Sequence, residues 1–407
     1  MANVDVLIVG GGPAGASLAF ALARDGVRVR VVDRARFPRP KPCAEYLSPE
    51  ASRILADMGA LERIEETGAA ALAGIHVRAP NGRVIKGDFV AGHGFRGFRD
   101  RGLSVRRETL DAILLDRARA VGADVVEGIR VTDVIRGNSD RVVGVQTLVN
   151  GERGESRAPI VIGADGLRSV IAKRLGLAQT QRWPRRLALV THYERVGDVG
   201  EHGEMHVERD GYVGIADVGN GLTTVALVIP ASRSAEISGD RAGFLHRWLM
   251  SKTHLAPRFK NAERATPVVA TGPFASHTRR AWAPGAALVG DAADFFDPFT
   301  GEGIYSALRG GEMLASTVRS ALTLTSERDV DDVFREYDRA RRKEFGGKWI
   351  VEKVIGAVVG TVPLINRAAK SLSARKDLAD LLIGVTGDFV PAREVIRVGY
   401  VWRVFGL

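Results

Sequence analysis

The sequence Val4-Asp-Val-Leu-Ile-Val9, followed directly by Gly10-Gly-Gly-Pro-Ala-Gly15, decides the fold of this chain. The first six residues are typical of a short strand that is buried on both faces, as strands of parallel sheets are. The glycines have the spacing G-x-G-x-x-G, and a helix is predicted over Ala16–Arg24. A second strand is predicted over Val27–Val32. Strand, glycine loop, helix and strand in this order predict a Rossmann-type unit.

Each spaced glycine has a separate physical role in such a loop. Gly10 permits the tight turn, Gly12 lets the backbone approach a pyrophosphate, and Gly15 lets the helix pack closely on the strand. The N-terminus of the helix then faces the phosphates. Asp33 lies eighteen residues after Gly15, at the end of the second strand, where an acid accepts a hydrogen bond from a ribose hydroxyl. The motif therefore predicts a dinucleotide site.

Two more turns rich in glycine and aspartate follow strands that are predicted later in the chain. The first is Gly163-Ala-Asp165-Gly166, and the second begins with Gly290-Asp291 and runs on to Gly303. Three such turns at the strand ends of one sheet imply a long ligand that extends over several strands. FAD has that length, whereas a transiently bound nicotinamide cofactor does not need three turns. The sequence therefore predicts FAD as the cofactor.

Composition excludes several other classes of protein. Of the 407 residues, 45% are apolar and 26% are charged, so the chain is globular rather than disordered. The single cysteine, Cys43, rules out a disulfide framework. His202 and His206 are four residues apart, but Gly203 and the alternation that follows predict a strand rather than a helix that carries a metal pair, so no metal site is expected. The net charge of +10 favours anionic partners. No aromatic-rich basic strand or recognition helix points to a nucleic acid, and none is expected as a partner.

The chain opens directly with the glycine loop, so no signal peptide is predicted, and no apolar run approaches the ~20 residues that span a bilayer. We expect a cytoplasmic protein that is at most peripheral to the membrane. The segment Val354–Ile365 is apolar and flanked by lysine and arginine. Two roles for it stay open at this point: a helical cap over the substrate, or a surface that docks on anionic lipid.

The middle of the chain has a different pattern. Alternating strands are predicted over Arg186–Arg195, Glu204–Glu208, Tyr212–Val218 and Leu222–Ile229, and the pairs Asp-Gly and Asn-Gly between them are hairpin turns. The fold class is therefore α/β with an α+β insert: a Rossmann-type FAD-binding domain, an antiparallel-sheet substrate domain and a helical C-terminal region. The predicted domain bounds are 1–75, 100–182 and 272–345 for FAD, 76–99 and 183–271 for the substrate, and 346–407 for the helical region.

Two further motifs carry a family resemblance. Arg107-Glu-Thr-Leu-Asp-Ala-Ile-Leu114 fits the pattern R-x-x-L-D-x-x-L, and Lys41-Pro-Cys-Ala-Glu-Tyr-Leu-Ser-Pro49 is similar to K-P-C-G-E-x-L-S-P. Together with the three glycine turns, they make the chain resemble the FAD-dependent oxidoreductases of the aromatic-hydroxylase, glutathione-reductase-like fold. The resemblance is closest to the geranylgeranyl-reductase-like branch and extends to about residue 345.

The resemblance implies which residues hold FAD. Arg107 would reach the phosphate or ribose region, Asp165 would support the pyrophosphate region, and Asp291 would bind the ribityl chain. Backbone N–H groups in Pro298–Ile304 would face the N1 edge of the flavin, where a helix N-terminus stabilises negative charge. The expected cofactor-binding residues are Gly10, Gly12, Pro13, Ala14, Gly15, Asp33, Arg34, Ala44, Arg107, Val131, Asp165, Gly290, Asp291, Pro298, Gly301, Gly303 and Ile304.

The resemblance also implies a lipophilic substrate and an external electron donor such as NAD(P)H. Cys43 and Tyr212 are the candidate catalytic residues, although Cys43 could instead gate the substrate or only pack. Two chemistries compete: a hydride from flavin N5 reduces a carbon–carbon double bond, or reduced flavin activates oxygen to hydroxylate or epoxidise an aromatic, polyketide or isoprenoid substrate. The Cys43 motif favours the reductase. Gly214 and Asp217 stand where the reductases often have tryptophan and proline, which weakens that assignment. A halogenase is not expected, because W-x-W-x-I-P is absent.

Overall fold

The computed structural model describes residues 4–137, 139–180, 185–274 and 276–406. It has the predicted α/β class, with a parallel sheet, a second and larger sheet, and a helical C-terminal region. The division into domains stays a prediction, and its boundary at 182/183 lies outside the described residues.

The strands are short and are numbered here in chain order. They are β1 (Val6–Val9), β2 (Val29–Asp33), β3 (Tyr46–Leu47), β4 (Ala70–Leu72), β5 (Gly74–Arg78), β6 (Val84–Asp88), β7 (Gly102–Ser104), β8 (Asp124–Glu127), β9 (Arg130–Arg136), β10 (Val142–Val149), β11 (Glu152–Arg157), β12 (Ile160–Gly163), β13 (Ala178–Thr180), β14 (Arg186–Glu194), β15 (His202–Glu208), β16 (Gly211–Asp217), β17 (Leu222–Pro230), β18 (Glu263–Arg264), β19 (Val269–Thr271), β20 (Ser276–Thr278), β21 (Trp282–Ala283), β22 (Ala286–Leu288) and β23 (Asp294–Phe295).

The helices are numbered in the same way. They are α1 (Pro13–Arg24), α2 (Ala51–Asp57), α3 (Leu61–Glu66), α4 (Arg107–Ala120), α5 (Val170–Arg174), α6 (Arg241–Met250), α7 (Gly303–Leu322), α8 (Glu327–Val359), α9 (Val362–Leu372), α10 (Lys376–Thr386), α11 (Arg393–Ile396) and α12 (Val398–Phe405).

The parallel sheet has the strand order β21-β22-β12-β1-β2-β8, with β21 antiparallel at one edge. Strand β1 pairs with β2 on one side and with β12 on the other, so the glycine loop and the turns after β12 and β22 meet at one edge. Burying all four residues of β1 and of β12 explains their continuous apolar sequence. This edge is where ligands bind in open α/β sheets.

The sequence also predicts three short strands, around residues 129–135, 142–148 and 159–163, that form one small meander. This prediction is wrong for the third strand, β12, which joins the parallel sheet. The sequence shows the reason, because β12 is apolar at every position and needs cover on both faces. The meander is instead β9-β10-β11, and its last strand, Glu152–Arg157, is largely exposed and polar.

The second sheet has the order β18-β14-β17-β16-β15-β5-β6, and β19 also pairs with β14. The predicted hairpins are confirmed: β15 pairs with β16, and β16 with β17, in antiparallel register. Strand β5 comes from an earlier part of the chain and pairs with β15 in parallel. One face of this sheet packs on the C-terminal helices and the other on α6. We call it the substrate sheet.

The C-terminal region is helical, as predicted. Helix α8 has 33 residues, and α9, α10 and α12 follow it against the substrate sheet. Within the described part of the chain, no single helix has the length and apolarity to cross a membrane. Helices α8 and α9 reach that length and apolarity only when they are counted together, and the chain bends by 108° between them.

Candidate cofactor and substrate site

One cleft lies between the glycine-turn edge of the parallel sheet and the substrate sheet. It encloses about 1690 Å³ of empty space, including its open mouth. Most of the residues predicted from the sequence to bind cofactor or substrate meet here. The predicted residues that line the cleft are Gly12, Pro13, Ala14, Cys43, Ala44, Arg107, Tyr212, Gly290, Asp291, Pro298, Gly301, Gly303 and Ile304.

The glycine loop has the geometry that the motif predicts. Gly10 has φ of 107°, and a Cβ on it would lie 2.4 Å from the Ala164 carbonyl oxygen. A Cβ on Gly15 would lie 1.9 Å from the Gly10 carbonyl oxygen, so helix and strand meet without room for a side chain. Above Gly12 the space is open, and the nearest atom is 3.9 Å away in the Arg39 guanidinium. Gly12 precedes α1 without a side-chain cap, which leaves the first N–H groups of the helix for phosphate oxygens.

Several predicted residues support the site without lining the cleft. Asp33 Oδ2 accepts from the Gly11 N–H at 2.7 Å and Oδ1 accepts from the Ala35 N–H at 2.8 Å, so this acid holds the glycine loop to the end of β2. Arg34 is exposed next to it, and Val131 is buried on β9. Gly10 and Gly15 shape the loop from beneath. The contacts of these residues with the cofactor stay predictions.

Both carboxylate oxygens of Asp165 accept hydrogen bonds from other residues of the protein. Its Oδ1 accepts from the Ser169 hydroxyl at 2.6 Å, and its Oδ2 accepts from the Val170 N–H at 2.6 Å. Both oxygens therefore fix the start of α5, and burial raises the pKa of this carboxyl. Its neighbours Ala164 and Gly166 line the cleft, so the turn reaches the site by its backbone rather than by the Asp165 side chain.

Arg107 lies deep beside the cleft. Its guanidinium donates to both oxygens of Asp111 at 2.9 Å, a bidentate pair that is almost fully buried. Burial lowers the pKa of Arg107, but Asp111 and the adjacent Cys43 side chain outweigh it and raise that pKa above its usual value. Arg107 is thus a fixed positive charge that reaches both the cleft and Cys43.

Three aspartates follow β22, and their surroundings differ. Asp297 Oδ1 accepts from the Tyr212 hydroxyl at 2.8 Å and Oδ2 from Arg186 at 2.5 Å, while Asp294 pairs with Arg341. Asp291 also lines the cleft, yet no donor among the described residues contacts its carboxylate. Asp291 is therefore the aspartate that is available to a ribityl hydroxyl.

Helix α7 begins at the same cleft. A tight turn over Pro298–Thr300 leads through Gly301, at φ of 74°, to the first helical residues Gly303 and Ile304. No side chain caps this helix, so its N–H groups are free to face the flavin edge. An open space above Gly12, two uncapped helix starts and an aspartate without a donor together fit FAD.

A cluster of buried acids lies behind the start of α7. Glu302 is 2% exposed, and neither of its carboxylate oxygens has a hydrogen-bond partner among the described residues. Burial raises its pKa to about 8; nearby Lys348 opposes this shift and Asp388 adds to it. Glu352 also lines the cleft. Burial raises its pKa, and the negative charge of Glu302 raises it further. A neutral Glu302 leaves the positive end of α7 uncompensated.

The substrate sheet supplies the apolar floor of the cleft. Val190, Ala226, Gly214 and Met205 form one row across four strands, since each is paired with the next. All four line the cleft. A Cβ on Gly214 would lie 3.2 Å from Met205 Sδ, so the Met205 side chain extends over Gly214 and takes the space that a side chain there would fill.

Tyr212 forms the end wall of this floor, with its ring 5.0 Å from that of Phe299. Its hydroxyl proton is donated to Asp297, and burial next to that carboxylate raises the pKa of Tyr212 well above its usual value. This arrangement disfavours Tyr212 as a proton donor to substrate, and its catalytic role stays a prediction.

Sequence reasoning missed a pair of residues beside Cys43. Glu45 Oε2 lies 2.7 Å from His192 Nε2, and Glu45 Oε1 accepts from the Arg107 N–H at 2.9 Å. Glu45 lines the cleft, although it is 3% exposed, and its φ of 64° is unusual for a residue other than glycine. The sequence contains a sign of this pair, because His192 is a polar residue on the face of β14 that otherwise turns the apolar Ala188 and Val190 toward the cleft.

A dinucleotide fold whose cleft joins phosphate, ribityl and flavin-edge contacts to an apolar floor defines an FAD-dependent oxidoreductase. Comparison with known proteins agrees with this class. The family model described as FAD binding domain matches residues 3–344, and the chain belongs to this family.

The known proteins that the chain resembles include reductases and a halogenase. The chain is 29% identical over 404 residues to digeranylgeranylglycerophospholipid reductase 2 of Methanopyrus kandleri, which covers 97% of this chain and 94% of that protein. A geranylgeranyl bacteriochlorophyll reductase-like structure from Thermoplasma acidophilum covers 99% of this chain and 96% of its own, with a TM-score of 0.73 and 23% identity. The myxobacterial chondrochloren halogenase covers 92% and 90%, with a TM-score of 0.80 and 23% identity. At these identities the two structures show the fold alone.

Proposed function

We propose that this protein is an FAD-dependent reductase that saturates a carbon–carbon double bond in an isoprenoid or related lipophilic chain. The observation that carries the proposal is the cleft, which joins the turns predicted to bind FAD to the apolar floor of the substrate sheet. The names of relatives such as the Methanopyrus kandleri reductase favour the same substrate class. Electrons would come from an external donor such as NAD(P)H.

The chain's own residues would position the substrate and supply a proton. Bound FAD would supply the hydride. The row from Val190 to Met205 would hold an apolar chain flat against the substrate sheet and exclude water from the reacting carbons. Cys43 lies at the cofactor end of this floor, where a double bond would lie.

The second hydrogen would come from the proton that Glu45 Oε2 and His192 Nε2 share. His192 Nδ1 lies 3.0 Å from the Thr266 hydroxyl, which holds the ring in place. Cys43 Sγ accepts from the Glu45 N–H at 3.4 Å, and both residues line the cleft. Cys43 would either pass the proton on or orient the double bond toward Glu45.

A monooxygenase is the second candidate, and Gly214 favours it. The position over Gly214 is taken by the flexible Met205 side chain rather than by a rigid ring, and such a side chain can move aside for a ring system as well as for a linear chain. Anaerobic turnover separates the two. The reduced enzyme, mixed with a polyprenyl substrate without oxygen, is expected to be reoxidised with one double bond saturated per flavin. Reoxidation that requires oxygen and yields a hydroxylated or epoxidised product would refute the reductase and support the monooxygenase.

A peripheral membrane contact is part of the proposal, and the protein would otherwise be cytoplasmic. Large apolar side chains are exposed on the elements that pack around the end of α8: Ile350, Val354, Leu364, Ile396, Val398 and Trp402. We call these residues the apolar rim. Exposed Arg397 and Arg403 flank it on α12. Helix α8 also lines the cleft through Trp349 and Glu352, so the rim lies on the helix that walls the site. A lipid substrate would enter from that side.

A further inference from the structure

A second opening adjoins the cleft at the other end of the substrate sheet, and its lining is basic. Four arginines line it, Arg168, Arg185, Arg186 and Arg241, and none of the described residues that line it is acidic. It holds about 1740 Å³ of empty space, including open solvent. We call it the arginine pocket. A concave surface with several positive charges and no negative one focuses an attractive field for anions.

Three of these arginines have no acidic partner in the described part of the chain. Arg186 is paired with Asp297. Within the described ranges, Arg168, Arg185 and Arg241 are exposed and form no ion pair with any carboxylate. Arg168 donates to the Gly272 carbonyl oxygen at 2.6 Å, which fixes its guanidinium at the rim of the pocket and leaves its other N–H groups free. Guanidinium groups without an acidic partner are available to an anion that enters the opening.

The arginine pocket and the cleft share a border. Thr271 lines both. Leu167 lines the cleft, and the next residue, Arg168, lines the pocket. An apolar chain that follows the floor of the cleft toward Thr271 would therefore end beside the arginine pocket.

We propose that the arginine pocket binds the phosphate group of an amphiphilic substrate whose apolar chain occupies the cleft. This inference rests on the proposed function for the identity of the apolar chain. The planar fork of arginine matches phosphate oxygens in bidentate geometry, and a phosphate monoester carries enough charge to engage more than one guanidinium. Ser232 and Ser234 add hydroxyl donors on the opposite side of the pocket. A phosphate could also belong to a nicotinamide dinucleotide, and the experiment separates these two sources.

The test measures binding to the FAD-loaded full chain with two probes, geranylgeranyl phosphate and geranylgeraniol. The variants are Arg168→Gln and Arg241→Gln. Arg209→Gln is the matched control, because Arg209 is exposed, forms no ion pair among the described residues and lines neither cavity. We expect each pocket variant to weaken binding of geranylgeranyl phosphate by about tenfold, the effect of one charge-assisted hydrogen bond. Binding of geranylgeraniol is expected to stay unchanged, and the control is expected to bind both probes as wild type does.

Each alternative outcome has a separate meaning. Equal binding of both probes by wild type and by the pocket variants overturns the arginine pocket but leaves the proposed function standing. Binding of neither probe overturns the proposed function itself. In a parallel anaerobic experiment, flavin reduction is followed against NADPH concentration. A pocket variant that needs more NADPH yet binds geranylgeranyl phosphate normally assigns the phosphate to the electron donor and overturns the substrate site.

Discussion

The most informative perturbation of this protein is Glu302→Gln, at the start of α7. The carboxyl is buried, both oxygens lack partners among the described residues, and its pKa is raised to about 8 from 4.5. The folded protein therefore binds a proton that the unfolded chain releases above pH 4.5, so wild type loses stability as the pH rises from 4.5 to 8. Glutamine has nearly the same shape and carries no charge, so the variant lacks this loss.

The expected magnitude follows from proton linkage. Relative to wild type, the free energy of unfolding of Glu302→Gln should rise by about 3–4 kcal/mol between about pH 5 and about pH 8. Any fixed cost of the buried amide does not depend on pH and cancels from this comparison. Urea unfolding at several pH values, followed by far-UV circular dichroism, measures the difference directly.

The matched control lies on the same helix. Glu312 is paired with Arg53 and Arg309. Burial raises the pKa of Glu312, but the two arginines outweigh burial and lower that pKa below its usual value. Its stabilising contribution is complete above the unfolded pKa and is lost only as the pH falls below it. Glu312→Gln should therefore destabilise the protein by a nearly constant amount from about pH 5 to about pH 8. If the Glu302→Gln difference is equally flat, the carboxyl is ionised in the folded protein and the reasoning about the buried cluster is refuted.

Three further predictions concern the cofactor, the substrate and the membrane. Denaturation should release intact FAD, and Asp291→Asn should lower the FAD occupancy of the purified protein without lowering the melting temperature of its apo form. Asp297→Asn should lower that melting temperature, because it leaves Arg186 buried without its partner. The reverse pattern would contradict the assignment of Asp291. Cys43→Ala should retain FAD but change turnover or substrate choice, and wild-type kinetics on the true substrate would mean that Cys43 only packs. Sedimentation with anionic vesicles should be reversible, weakened by salt and reduced in Trp402→Ser, and failure to bind anionic or neutral vesicles would leave the C-terminal helices as a cap on the cleft.

Local sequence patterns predicted the elements that hold the cofactor. The turn at Gly10 and the close packing at Gly15 follow from glycine chemistry alone, and the structure has both. The apolar run Val6–Val9 likewise specified a strand that is buried on both faces. In each case the information lies within a few neighbouring residues, which is why one sequence suffices.

Contacts between distant parts of the chain could not be predicted in this way. Glu45 and His192 are 147 positions apart, and only the packing of β14 over the Cys43 segment brings them together. The same is true of Asp165, where the motif correctly located a turn at the cofactor edge but not the hydrogen bonds that tie its carboxylate to α5. Charge pairing decides whether an acid is free for a ligand, and that pairing is a property of the folded protein.

Helix α8 connects the cofactor edge of the parallel sheet to the apolar rim. On this helix the Tyr337 hydroxyl donates to the Leu288 carbonyl oxygen at the end of β22, and Val354 is exposed in the apolar rim. These two residues are 17 positions apart, which is about 25 Å along the helix. A protein that rested on a bilayer by that rim would hold its flavin at a fixed height above the lipid. Only double bonds at a matching depth along a lipid chain would reach the cofactor, so this part of α8 would limit which bonds are reduced.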